Sequence, residues 1–145
     1  PGSVVFTYHT DLGALTGATP DGRRRGEPLA DSAGPSQGKA RKGPTAILNS
    51  MTRFDQSLGT TCVVLNLMFA PSTFQGAQVA DLLQTYFRNG GMQVQINVAD
   101  KEVLRQAQER PHDFAQLTIR VGGFSAYFVE LPKDLQDEII TRTAY

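Results

Sequence analysis

The sequence is short of the residues that build several common kinds of site. One cysteine, Cys62, stands among 145 residues. That excludes an intramolecular disulfide framework and any zinc or iron–sulfur centre held by this chain's own thiolates. Net charge is also lacking, because fourteen Lys and Arg balance fourteen Asp and Glu. Binding nucleic acid through bulk electrostatics needs a clustered excess of cations, so no nucleic-acid partner is expected. The most apolar stretch, Val63–Phe69, is far too short for a bilayer, and no charged-then-apolar leader opens the chain. His9 and His112 are solitary, with no carboxylate or cysteine at ligand spacing, so no metal site is expected. Neither a P-loop spacing nor a nucleophile–base pair is present. What remains is a soluble protein of a reducing, cytoplasmic compartment, forming one domain or part of one.

Glycine and proline are abundant but unevenly spread. Residues 1–43 hold eight of the fourteen glycines and four of the eight prolines. After a short expected strand at Val4–Tyr8, this stretch shows almost no apolar periodicity and reads as loop. A long ordered loop inside a compact domain tends to be functional or docked on something else. Residues 1–43 are therefore read as a surface-wrapping segment, ordered only against a partner outside the chain. The basic clusters Arg23-Arg24-Arg25 and Lys39-Ala-Arg-Lys42 lack an aromatic platform and read as a solvated or interface face.

From residue 44 to 145 the pattern is regular. Pro44 suits a helix first turn, with Ile47, Met51 and Phe54 along one stripe. Thr60–Phe69, bounded by Gly59 and Pro71, predicts a largely buried strand. Val79, Leu82, Leu83, Tyr86 and Phe87 predict an amphipathic helix ended by Asn89-Gly90-Gly91. Met92, Val94, Ile96 and Val98 alternate with Gln93, Gln95 and Asn97, predicting a strand with one polar face, turned to solvent or to satisfied polar contacts. Asp100 caps a helix that Pro111 stops. Leu117, Ile119 and Val121 predict another strand, and Leu131, Leu135 and Ile139 a closing helix. Strands alternating with helices mean an α/β layered fold.

Between that last strand and helix lies Arg120-Val121-Gly122-Gly123-Phe124-Ser125-Ala126-Tyr127-Phe128. This nonapeptide resembles the radical-site signature of the glycyl radical enzymes, with Arg120, Val121, Gly123, Phe124 and Phe128 at the matching places. Gly17-Ala-Thr-Pro-Asp-Gly-Arg-Arg24, Gly26-Glu-Pro-Leu-Ala-Asp31, Pro35-Ser-Gln-Gly38, Gly43-Pro-Thr-Ala46 and Gly90-Gly-Met-Gln-Val-Gln95 are similar to further blocks of that family, in the family's order. The resemblance spans Gly17 to Thr143. It implies the C-terminal portion of a ten-stranded α/β barrel, with the 120–128 loop between a strand and the final helix. It also implies a backbone radical at Gly123, assigned over Gly122 by the spacing to Phe124. Physical chemistry favours glycine there: an α-carbon radical is stabilised when planar and conjugated with both flanking peptides, and a Cβ would crowd that arrangement. Such a radical must be kept from water and oxygen, for which Val121 and Phe124 are suitable neighbours.

The resemblance further implies what lies outside the chain. The radical of this family passes to a cysteine on a central loop of the barrel, and no block here matches that loop. A large partner subunit or a missing segment is expected to carry it. A separate activating enzyme using S-adenosylmethionine and an iron–sulfur cluster is expected to install the radical, with no cofactor bound by this chain. The blocks at residues 26–31 and 35–38 lean toward eliminating lyases, such as dehydratases, over formate-lyases. The alternative is a non-catalytic spare part that repairs an oxygen-cut formate-lyase-type enzyme. Cys62, inside a predicted strand, reads as a small core residue and not as the missing thiol. Cys62→Ala is accordingly expected to cost about 1 kcal/mol of stability and to leave turnover of the assembled enzyme intact, as denaturant titration and an activity assay would show.

Overall fold

A computed structural model of the chain describes residues 7–36, 38–59, 63–142 and 144–145. Cys62 and most of the expected Val4–Tyr8 strand lie outside the described residues. Tyr8 itself opens a helix, α1 (Tyr8–Leu15), where the sequence predicted extended chain and then loop. There follow α2 (Pro44–Met51), β1 (Asn66–Phe69), α3 (Gly76–Arg88), β2 (Gln95–Val98), α4 (Lys101–Glu109), β3 (Thr118–Arg120), β4 (Ser125–Tyr127) and α5 (Lys133–Thr141). The architecture is mixed α/β. The four described strands form two separate pairs, so the ten-stranded barrel that the resemblance implies is not closed by these residues.

β1 and β2 pair in parallel through the α3 crossover, with Asn66 opposite Gln95 and Met68 opposite Asn97. Beyond β1's other edge, Tyr145 donates its N–H to Met68 O, and Ala70 N–H returns a bond to Tyr145 O. Because successive side chains of a strand point to opposite faces, β1 separates two cores. Leu67 and Phe69 join Ile47, Leu48, Met51, Val79 and Tyr86 from α2 and α3. Met68 faces the other way, into Leu104, Ala107, Ile119, Val121, Phe128, Leu135 and Ile139.

Two local expectations fail for physical reasons, and a third resolves to one of its options. α2 ends at Met51, so Phe54 falls beyond the stripe and is exposed. The polar face of β2 turns to satisfied polar contacts and not to solvent: Gln95 and Asn97 are buried, while Ile96 is half-buried on the opposite side and Val98 is exposed. The amide face meets the polar backbone of β3, which rewards amides over hydrocarbons. Finally, 120–128 does not run from strand to helix. β3 and β4 form an antiparallel hairpin, with Arg120 opposite Ser125 and Ile119 opposite Ala126, and a short 3-10 turn, Phe128–Glu130, precedes α5.

The glycine-rich N-terminal segment packs on this chain's own α5. At Gly13 an added Cβ would lie 2.5 Å from Glu27 O and 2.7 Å from Pro28 Cα, so only glycine admits that approach. Arg23, read from sequence as part of a solvated cluster, is buried and donates to the carbonyls of Thr16, Gly17, Arg24 and Glu27. It ties the loop together. Asp31 Oδ2 accepts from Asn66 Nδ2 at 2.6 Å and pairs with Arg142 Nη2 at 3.1 Å. Arg142 also makes a forked bond to Glu138, at 2.9–3.1 Å, and His9 Nε2 stands 3.6 Å from the same carboxylate. Burial would push the Glu138 carboxyl up, but His9 and Arg142 outweigh it and hold it below the ordinary 4.5. A carboxyl with a lowered folded pKa stabilises above its unfolded value and loses that contribution as pH falls through the folded one. Arg142→Met, which strands two buried carboxylates, is expected to cost about 3–5 kcal/mol at neutral pH. In urea titrations the parent should weaken as the pH falls through and below the ordinary carboxylate range, and the variant should weaken much less.

Candidate functional site

The hairpin loop between β3 and β4 is positioned by side chains from β2. Asn97, buried on the β2 face toward β3, accepts from Arg120 N–H at 2.8 Å through Oδ1 and donates to Arg120 O at 2.8 Å through Nδ2. One carboxamide thus satisfies both backbone groups of a residue on the next strand, in place of a ladder pair. Two residues earlier, and hence on the same face, Gln95 Oε1 accepts from Arg120 Nε at 3.0 Å and from Gly123 N–H at 3.1 Å. Arg120 completes a ring by donating from Nη2 to Gly123 O at 3.3 Å, and it also reaches Ser125 Oγ from Nη1 at 3.3 Å.

Within the loop, Val121 N–H donates to Phe124 O at 2.9 Å, which makes Gly122 and Gly123 the two central residues of a tight turn. Gly123 has φ 88°, the left-handed region that β-turns with a positive second central residue reserve for glycine. Both of its backbone polar groups are held, N–H by Gln95 and C=O by Arg120.

The structure brings the five signature residues together, with different roles. Val121 and Phe128 are wholly buried and anchor the two ends of the loop in the core around Ile119 and Ile139. Phe128 N–H further donates to Leu117 O at 2.7 Å. Arg120 provides the bonds just described. Phe124 is 40% exposed, and Gly123 is exposed as well, in this chain taken alone. His112 lies exposed on the turn after α4, far from any such network, whereas His9 belongs to the buried cluster with Glu138. Among the described residues no group of three or more His, Cys, Asp or Glu gathers at metal-holding distance, and no helix is long and apolar enough to cross a membrane.

Sequence reasoning had placed Gln95 and Asn97 on a polar face without linking them to the loop. The available signal was two carboxamides at i and i+2 on a strand otherwise rich in aliphatics.

The profile described as Glycine radical matches residues 29–129. Indoleacetate decarboxylase of Tractidigestivibacter scatoligenes is 42% identical over 148 residues, covering 99% of this chain and 17% of that protein. Trans-4-hydroxy-L-proline dehydratase of Clostridioides difficile is 40% identical over 141 residues, covering 94% and 18%. The glycerol-bound B12-independent glycerol dehydratase of Clostridium butyricum superposes with a TM-score of 0.89 at 40% identity, covering 95% of this chain and 18% of that one. The chain thus spans less than a fifth of the length of these relatives.

A Cβ at φ 88° costs about 1–2 kcal/mol. Gly123→Ala is expected to lose that much in denaturant titration while keeping the far-UV spectrum of the parent, since the anchors Val121 and Phe128 are untouched.

Proposed function

The chain belongs to the glycyl radical family, and on that premise we propose that Gly123 stores a backbone radical for an enzyme that cleaves a C–X bond. The observation that carries this reading is the tight Gly122-Gly123 turn, whose second residue takes a positive φ and is held at both its N–H and its C=O. A residue that loses a hydrogen atom from Cα and later regains it needs a backbone free of a side chain and returned each time to one position. Gly123 has no side chain, and the bonds at its N–H and C=O define one resting position for it. In use, the Cα radical takes a hydrogen atom from a cysteine thiol outside this chain; the C–H bond reforms, and the thiyl left behind attacks the substrate. That cysteine belongs to the catalytic part of the protein, on another chain or a segment beyond these residues.

The relatives include dehydratases, decarboxylases and a sulfite-lyase, which supports an eliminating or decarboxylating lyase over repair of a formate-lyase. The radical itself is installed by an activating enzyme that uses S-adenosylmethionine and an iron–sulfur cluster. Residues of this chain contribute the geometry. At φ 88° the peptide before Gly123 is turned out of conjugation with Cα, so the loop must flatten as the hydrogen leaves. With no Cβ, that rotation meets no steric barrier.

Anaerobic activation of the complete enzyme should yield a glycyl-type electron paramagnetic resonance signal that Gly123→Ala abolishes. Air should then cut the activated backbone at residue 123, seen by mass spectrometry. Cleavage at Gly122 would move the site by one residue; an activated complex with neither signal nor cut would overturn the assignment.

A further inference from the structure

Among the described residues Gln95 is the one side chain bonded to both the guanidinium of Arg120 and the backbone of Gly123, and the storage reading just proposed uses its bond without asking what the bond controls. Its Oε1 must be an oxygen and not the amide nitrogen, because the two groups that meet it, Arg120 Nε–H and Gly123 N–H, are both donors. The residue is 7% exposed, so a buried acceptor on β2 holds the turn. Asn97 fixes the same loop one step earlier by bracketing Arg120 through its backbone N–H and C=O. The cycle closes through Arg120 Nη2 on Gly123 O. The bonds of Gln95 and Asn97 run between the β1–β2 sheet and the hairpin, and the Arg120–Gly123 bond closes the cycle within the hairpin.

From this cycle we propose that Gln95, supported by Asn97, is a positioning residue that latches the glycine loop to β2 and sets how readily Gly123 is released for hydrogen removal. The proposal rests on Gly123 being the radical site for its consequence in activation, but the latch itself is a statement about the resting loop. Its physical basis is simple. Gly123 N–H donates to Gln95 Oε1, the acceptor that holds the turn against β2. The latch also holds φ at 88°, away from the planar form. Loss of the acceptor therefore loosens the loop and lowers the resistance to flattening.

The test uses two variants of near-equal volume in the complete enzyme. Gln95→Met keeps the bulk and removes the acceptor; Gln95→Glu keeps an acceptor oxygen facing Arg120 and Gly123 N–H. Amide hydrogen exchange is followed across residues 120–124, without activation, and the rate of appearance of the radical signal is followed separately. Gln95→Met should raise exchange at Gly123 about tenfold, equivalent to about 1.4 kcal/mol, and should speed activation. Gln95→Glu should restore the parent's exchange. Asn97→Leu should loosen Arg120 in the same assay and so serves where Gln95→Met fails to fold. If Met and Glu variants both exchange like the parent, there is no latch; if both are equally loose, the residue acts by packing and the proposal fails. Because exchange is read without the radical, a missing radical signal in the parent would count against Gly123 storage and leave the latch result standing.

Discussion

Burying a carboxamide obliges the fold to supply partners for it. An amide taken out of water unpaired costs about 1–3 kcal/mol in proteins, and β2 buries two of them on one face. The neighbouring strand meets that demand with backbone groups of Arg120 and Gly123, and so the position of the hairpin follows from the satisfaction of Gln95 and Asn97. Hydrocarbon side chains at the same places would pack against β3 without specifying where along it the turn sits. The polar face of β2 exchanges a little hydrophobic burial for a fixed address of Gly123.

β2 in turn is held by β1, and β1 is tied to the rest through Asn66. Opposite Gln95 in the ladder, Asn66 donates to Asp31, which pairs with Arg142, which grips Glu138 on α5. The glycine-rich N-terminal segment is therefore joined to the sheet that carries the loop latch by a short series of charged and amide contacts. Buried ion pairs of this kind add little to stability over well-packed apolar residues. Their directionality does something else here: it orients a segment with few apolar side chains, which hydrophobic packing alone would leave without a unique position.

How much of this was legible in the residues differs from element to element. α3 and α4 followed from apolar spacing and from Asp100, whose side chain accepts from Glu102 N–H as an N-cap should. The two-core partition by β1 follows from period two. The signature from Arg120 to Phe128 was readable as a unit, but the anchoring of its two ends by Val121 and Phe128 was not. β4 was not, because Ser125, Ala126 and Tyr127 carry no alternation and pair only through backbone bonds. α1 escaped notice since Gly13 reads as a breaker and serves as a contact. The roles of Asp31, Glu138 and Arg142 depend on residues more than a hundred positions apart meeting, which no local pattern encodes.

The anchoring also sets the scale of motion available to the loop. Val121 and Phe128 are fully buried in the core with Ile119 and Ile139, and uncovering each costs about 1.5–3 kcal/mol. The turn between them, Gly122 to Phe124, is held at its tip by hydrogen bonds worth about 1 kcal/mol each. Two openings of different cost are therefore built into one hairpin. The tip moves when a few polar contacts part, whereas withdrawal of the whole nonapeptide has to break into the α5 core. Movement of the tip depends on the carboxamides of β2, whereas withdrawal of the nonapeptide has to part those same contacts and uncover Val121 and Phe128 as well.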